Sequence, residues 1–227
     1  MQILSRRSLL KHTLTAAGGA TSLLALSPAF ADAIGQACGL TPAQTSGPFY
    51  PVEDQLDKDN DLTRVKGLGG KPLGEVIYLR GSIQDAQCRP LGGAHIEIWQ
   101  ACASGRYNHP SDTNTAAIDP NFQYWGQAMT REDGSFLFKT ILPGAYPAAS
   151  DWQRPPHIHV RVSKLGYHEL ITQLYFAGDP LNDVDKILRS IPRRDRSRVI
   201  GNLVPSPEGF EPGTRLADFT INILAVE

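Results

Sequence analysis

The run His157-Ile158-His159-Val160-Arg161-Val162 constrains the fold more than any other part of the chain. Apolar and polar residues alternate with a period of two, as in a β-strand whose successive side chains point to opposite faces. Ile158, Val160 and Val162 then share a face suited to a hydrophobic core, and His157, His159 and Arg161 share the other. Two imidazoles about 7 Å apart along one rigid strand can converge on a single metal ion. A plain structural strand carries His-x-His equally well, so the pair alone leaves the metal open.

Two tyrosines change that balance. Tyr107 lies in Gly105-Arg106-Tyr107-Asn108-His109, after the strand-like Ala94-His95-Ile96-Glu97-Ile98-Trp99. Tyr146 lies in Leu142-Pro143-Gly144-Ala145-Tyr146-Pro147, after Ser135-Phe136-Leu137-Phe138. Both sit where a strand gives way to a loop, the place where functional side chains concentrate. Two phenolates with two imidazoles suit a hard trivalent cation better than zinc. Taken singly, each is also an ordinary half-buried tyrosine using its hydroxyl as a polar handle.

Further alternating segments bounded by turn residues fall at 76–84, 93–101, 135–142, 169–176 and 217–225. With 157–163 they predict an all-β fold, an antiparallel β-sandwich with long loops. Val184 to Ser190 predicts a short C-terminal helix ahead of Pro192. Residues 32–74, rich in Gly, Pro and Asp, predict an extended N-terminal arm with turns, leaving 75–227 as the sandwich domain. The run Arg193-Arg194-Asp195-Arg196-Ser197-Arg198 is short and interrupted by acid, so it is expected as a solvated face or a subunit contact.

In order along the chain, several stretches resemble the intradiol ring-cleavage dioxygenases. They are Glu97-Ile98-Trp99-Gln100-Ala101 through Gly105-Arg106-Tyr107, Asp119-Pro120-Asn121-Phe122, Asp133-Gly134-Ser135-Phe136 and Pro143-Gly144-Ala145-Tyr146-Pro147. Trp152-Gln153-Arg154-Pro155-Pro156-His157-Ile158-His159 and the run from Leu170 to Pro180 complete them. The likeness spans residues 40 to 190 and is nearest to the iron-bearing β subunits of the protocatechuate 3,4-dioxygenases.

That resemblance implies a mononuclear non-haem Fe(III) held by Tyr107, Tyr146, His157 and His159. It implies a catechol-type substrate, opened by O2 between its two hydroxyl-bearing carbons to a cis,cis-muconate. Tyr146 is expected to leave the metal as substrate binds and to accept a substrate proton. Arg154 is expected to stabilise charge developing on the substrate ring, with Gln173 orienting it through its side-chain carbonyl. The alternative for Arg154 is an ion pair with a loop carboxylate such as Asp151. In Thr41-Pro42-Ala43-Gln44-Thr45-Ser46-Gly47-Pro48-Phe49-Tyr50-Pro51, a similar turn covers the pocket of the two-subunit members. Thr45, Gly47 and Pro48 are therefore candidate substrate contacts beside Arg154. A turn fixed by Gly and Pro for conformation alone fits the same residues.

One departure bears on specificity. Protocatechuate-cleaving members tend to carry a tryptophan two residues beyond the dissociable tyrosine, where this chain has Ala148. A wider pocket for bulkier catechols is expected, which puts protocatechuate itself in doubt. His95, His109 and His168 are expected at the surface or behind the site. Ligands and covering arm occur in one chain, so a homo-oligomer is expected, with a missing partner subunit still open.

Ser5-Arg6-Arg7-Ser8-Leu9-Leu10-Lys11, the apolar stretch Leu14 to Leu26, and Ala29-Phe30-Ala31 resemble a twin-arginine export signal over residues 1–31. Gly18, Gly19 and Pro28 make the stretch a poor membrane anchor. Export implies a periplasmic or secreted protein with no membrane attachment after cleavage. The overall net charge is −1, and removing the signal takes Arg6, Arg7 and Lys11 with it, which argues against nucleic acid as a partner. In an oxidising compartment, Cys38, Cys88 and Cys102 make one disulfide and one thiol the simplest count. Cys38 with Cys88 is our guess among the three pairings, and Cys102 is expected as a small buried apolar residue.

Two other classes fit parts of the pattern. One is an exported, metal-free β-sandwich that binds carbohydrate or protein. The other is a zinc hydrolase built on His157 and His159, which lacks a third His or carboxylate at a motif spacing.

Overall fold

The computed structural model describes residues 38–227; the expected export signal lies outside them. Two sheets face each other. One has the order β10 (Leu203–Pro205), β11 (Arg215–Ile223), β1 (Val76–Asp85), β4 (Ser135–Ile141). The other has the order β3 (Trp125–Met129), β2 (His95–Trp99), β7 (His157–Ser163), β8 (Leu170–Phe176), β9 (Ile200–Gly201). A small ribbon pairs β5 (Tyr146–Ala149) with β6 (Trp152–Arg154). One α-helix, α1 (Lys186–Ser190), follows a 3-10 turn at Pro180–Asp183, and a second such turn spans Arg193–Arg198.

The core lies between the sheets, where every second residue of each strand is apolar. Ile77, Leu79, Phe138, Phe219 and Ile221 meet Ile96, Ile98, Ile158, Val160, Val162 and Leu174, all buried. The alternation around His157 therefore works as expected: its apolar members build the core wall and its imidazoles are forced onto the opposite face. Burying each such side chain stabilises by about 1.5–3 kcal/mol, so a register slip that exchanged the faces would be prohibitive.

Most pairings of this all-β sandwich are antiparallel, as expected, and two are parallel. β1 pairs with β11 in parallel, Ile77 opposite Arg215 and Asp85 opposite Ile223, and β8 pairs with β9 in parallel. The chain crosses from β9 in one sheet to β10 in the other with Asn202 between them. The β10–β11 hairpin then fixes the direction of β11 alongside β1.

Residues 40–75 contain no named strand or helix. The arm is laced to the sandwich by hydrogen bonds such as Thr41 N to Asn222 O (3.1 Å) and Gln44 N to Ile171 O (2.8 Å). Its start is closed by a disulfide between Cys38 and Cys88, Cα atoms 5.5 Å apart. Cys102 is a buried free thiol. The disulfide closes a loop of sequence separation 50. Chain entropy values such a closure at about 4 kcal/mol, and each kcal/mol is worth about 2–4 °C for a domain of this size. Cys38→Ser/Cys88→Ser is thus expected to lower the thermal midpoint by about 10 °C, measured by calorimetry against the oxidised protein.

Candidate metal centre

The outer face of the β2–β7–β8 sheet collects the side chains that alternation assigns to it. Trp99 and Gln173 stand opposite His159 on its two neighbouring strands, Tyr175 stands opposite His157, and Glu97 opposite Arg161. Tyr107 comes from a loop above this face, and Tyr146 opens β5 at the end of a second loop. Those loops lie backbone against backbone, since Gly105 N and Gly144 N both donate to Cys102 O (2.9 and 3.0 Å). Gly105 has φ +80°, and a Cβ there would run into the Ala145 carbonyl oxygen. Gly105→Ala should therefore cost on the order of 1–3 kcal/mol and displace Tyr107, lowering the metal bound per chain by elemental analysis.

The four side chains form one buried cluster. Ring centroids lie 4.9 Å apart for His157 and His159, 5.5 Å for Tyr107 and Tyr146, 5.6 Å for Tyr146 and His157, and 6.3 Å for Tyr107 and His159. Trp99 stacks on His159 at 4.8 Å with 9° between the planes, fixing that imidazole's orientation.

Hydrogen bonding then separates these residues from ordinary core aromatics. His157 Nδ1 lies 2.7 Å from Pro155 O. A carbonyl only accepts, so Nδ1 carries the hydrogen and Nε2 carries the lone pair in the neutral ring. That Nε2, His159 Nδ1 and the Tyr107 hydroxyl are all buried without a hydrogen-bond partner. Each such atom costs about 1–3 kcal/mol, and buried polar atoms are nearly always paired. Three together, in one cluster, are a donor set suited to a metal ion.

Burial pushes the His157 imidazolium down to about 3, with help from the charge of Arg154, and holds His159 well below the usual range. Both rings are neutral donors at physiological pH. Burial also raises the Tyr107 phenol well above its ordinary value and raises Tyr146 against the pull of Arg154. Neither phenol ionises unaided, so a strongly charged cation is needed to take them as phenolates. Two phenolates and two imidazoles fit a trivalent ion such as Fe(III). Among the described residues, no group of three or more His, Cys, Asp or Glu side chains is placed to hold a metal, so the zinc alternative lacks its further ligand.

Arg154 is buried beside this cluster. Its Nε donates to Asp185 Oδ2 (2.7 Å) and its Nη2 to Gln173 Oε1 (2.6 Å) and the Tyr175 hydroxyl (3.2 Å). Gln173 thus holds it through the side-chain carbonyl, as expected. The ion-pair partner differs from the expected Asp151: that carboxylate is exposed and pairs with Lys186 at 3.5 Å, while Asp185 is fully buried. Asp151 sits in the turn between β5 and β6 and faces solvent, whereas the cap of α1 carries Asp185 inward.

The arm closes over the site. Thr45 O accepts from Gln173 Nε2 (2.8 Å), and Thr45 Oγ1 accepts from Gly47 N (3.1 Å). Gly47, at φ +66°, passes so close to His159 that an added Cβ would sit 3.3 Å from its Cε1. Pro48 follows, exposed, and Phe49 stacks against Tyr107 with centroids 4.5 Å apart. Gln44 is bound to Thr172 Oγ1, Gln173 O and the Tyr175 hydroxyl. Phe49, Gln44, Trp99, Tyr175 and Asp185 are thus additions to the sequence-derived set. Ala148 is exposed on β5. A cavity of about 630 Å³ adjoins the cluster across Phe49, Trp99 and Tyr107, while His157, His159 and Arg154 stand apart from its walls.

Comparison with known proteins identifies the family. A family model described as Dioxygenase matches residues 45–224. The protocatechuate 3,4-dioxygenase beta chain of Burkholderia cepacia is 42% identical over 174 residues, covering 73% of each chain. The chain belongs to the intradiol ring-cleavage dioxygenases. Catechol 1,2-dioxygenase of Candida albicans is 31% identical over 160 residues, which is 65% of this chain but only 50% of that one. Among solved structures, the dioxygenase domain of a carbohydrate-binding fusion from Streptomyces sp. SirexAA-E matches with TM-score 0.62 and 27% identity, covering 82% of this chain and 99% of that domain. Iron dependence comes with membership of this intradiol family.

Proposed function

We propose that this intradiol dioxygenase opens the ring of a catechol-type substrate, with Tyr107, Tyr146, His157 and His159 holding one non-haem Fe(III). The observation that supports it best is the set of buried, partnerless donors: Tyr107 Oη, His157 Nε2 and His159 Nδ1. When bound, the ferric ion would supply Lewis-acid polarisation of the catechol that makes its ring reactive towards O2. Tyr146 has the proton role: as a phenolate its Oη accepts a hydrogen from an incoming catechol hydroxyl, a transfer that needs only hydrogen-bond reach. Arg154 supplies a fixed positive charge for the anionic ring, held still by Gln173 and Asp185. Thr45, Gly47 and Pro48 are the proposed substrate contacts, and with Phe49 they exclude water from above. The arm belongs to the same chain as His159, so covering that imidazole needs no partner subunit; self-association remains our expectation.

The test is the visible spectrum of iron-loaded protein before and after anaerobic addition of catechol or protocatechuate. A tyrosinate-to-iron(III) band that shifts with substrate supports the reading. A protein that stays colourless after loading would falsify it and favour a metal-free binding module.

We also propose that the chain is exported through the twin-arginine route. A disulfide between Cys38 and Cys88 supports an oxidising destination. Fractionation of cells expressing the full chain, with Arg6→Lys/Arg7→Lys as the control, tests it: protein exported equally well in both would exclude that route.

A further inference from the structure

Arg154 and Asp185 are both removed from water, at 3% and 0% exposure, in a protein where most ion pairs lie at the surface. A buried pair of this kind is seldom justified by stability, because taking two charges out of water costs about what their attraction returns. The three guanidinium nitrogens divide unequally. Nε is committed to Asp185, and Nη2 to Gln173 and Tyr175, while the guanidinium also faces the Tyr146 hydroxyl. Asp185 is itself fixed. Its Oδ1 caps α1 by accepting from Leu188 N (2.7 Å), its backbone N–H donates to Leu181 O (2.9 Å), and Leu188 packs with Tyr175, Ile191 and Val199. The carboxylate therefore has one rotamer, with one oxygen for the helix and the other for Arg154.

We infer that Asp185 is a positioning residue of the ring-cleavage reaction: it clamps the Nε edge of Arg154 so that the guanidinium keeps one orientation beside Tyr146 when substrate arrives. The inference rests on the proposed function only for its kinetic consequence; the clamp itself is a property of the fold. A planar fork gripped at two nitrogens cannot rotate, so the third donor keeps one direction when substrate arrives. Without Asp185, Gln173 and Tyr175 hold only the Nη2 corner and the guanidinium swings about it.

The test uses Asp185→Asn, which keeps the helix cap and removes the charge, and Asp185→Glu, which keeps the charge and moves the carboxylate by one methylene. In gallium(III)-loaded full chain, the Arg154 Nε–H resonance should exchange slowly in the parent protein and rapidly in both variants. In iron-replete protein both should lose about 100-fold in kcat, the scale of a 1 Å misplacement, with KM and iron content unchanged within about twofold. In an Arg154→Lys background, Asp185→Asn should cost less than about threefold, since the guanidinium that Asp185 orients towards substrate is already gone and the ammonium paired with Asp185 does not replace it. A purely structural Asp185 would lower kcat by the same factor in both backgrounds, and that result overturns the inference. So does wild-type turnover in Asp185→Glu, or a slow Nε–H in Asp185→Asn. Should the parent chain bind iron yet cleave no catechol, the functional reading fails, and the exchange measurement alone still decides whether Asp185 holds Arg154.

Discussion

Arg154→Lys is expected to give a folded, coloured, iron-replete protein whose kcat has fallen by about 100- to 1,000-fold, the usual effect of losing a preorganised donor at developing charge. Lysine keeps the positive charge that Asp185 needs but has one nitrogen where arginine has three. It satisfies Asp185 or faces the substrate, and burial with Asp185 decides for the first. Arg154→Ala is a different experiment. It strands a carboxylate at 0% exposure, which costs about 3–5 kcal/mol and, at about 2–4 °C per kcal/mol, lowers the thermal midpoint by about 6–20 °C. Loss of turnover in the alanine variant would thus mix unfolding with chemistry, whereas the lysine variant separates them. Lysine variants with turnover within about threefold of the parent would remove Arg154 from the reaction. An alanine variant with an unshifted midpoint would show that the Asp185 charge is not buried in solution.

How much of this was visible in the amino-acid order follows from which forces are local. The period-two run at 157–162 announces its own two faces, and both the core wall and the imidazole pair follow from it. The strand limits at 76–85, 135–141 and 157–163 come within a residue or two of expectation for the same reason. Short elements escape. β5 and β6 have four and three residues, the first containing Pro147, and β3 begins beside Gly126, so none carries enough alternation to be recognised. Long-range partners escape for a different reason. Asp151 is three residues from Arg154 and Asp185 is thirty-one away, and only the packing of α1 against Tyr175 brings the distant carboxylate in. Trp99 lies in a recognisable stretch, yet its stacking on His159 depends on β2–β7 register, which no local pattern states. Gln44 lies likewise in the quoted arm sequence, but its bond to Tyr175 is set by how the arm crosses β8.

Tyr107→Phe should move stability and metal binding in opposite directions, which a structural tyrosine cannot do. Its hydroxyl is buried with no hydrogen-bond partner, so deleting it removes an unpaid desolvation of about 1–3 kcal/mol. The metal-free variant should therefore be as stable as the parent or more so, whereas removing a normally bonded buried hydroxyl costs about 1 kcal/mol. Iron binding should suffer at once, through loss of one anionic ligand and of its part in the visible band. The pH dependence carries the same signature. Burial holds the Tyr107 phenol well above its ordinary value, so the site binds metal only by expelling that proton, and iron affinity should rise with pH across the neutral range. Tyr146, raised in the same way, expels a second proton. His157, pushed down to about 3, is already neutral there and expels none. A plot of log affinity against pH should thus have a slope near two in the parent and near one in Tyr107→Phe, by proton linkage. Chelator competition followed by the visible band, with calorimetric melting of the metal-free proteins, measures both quantities. A variant that melts lower, keeps its band and keeps its slope would place Tyr107 in the core as an ordinary buried tyrosine.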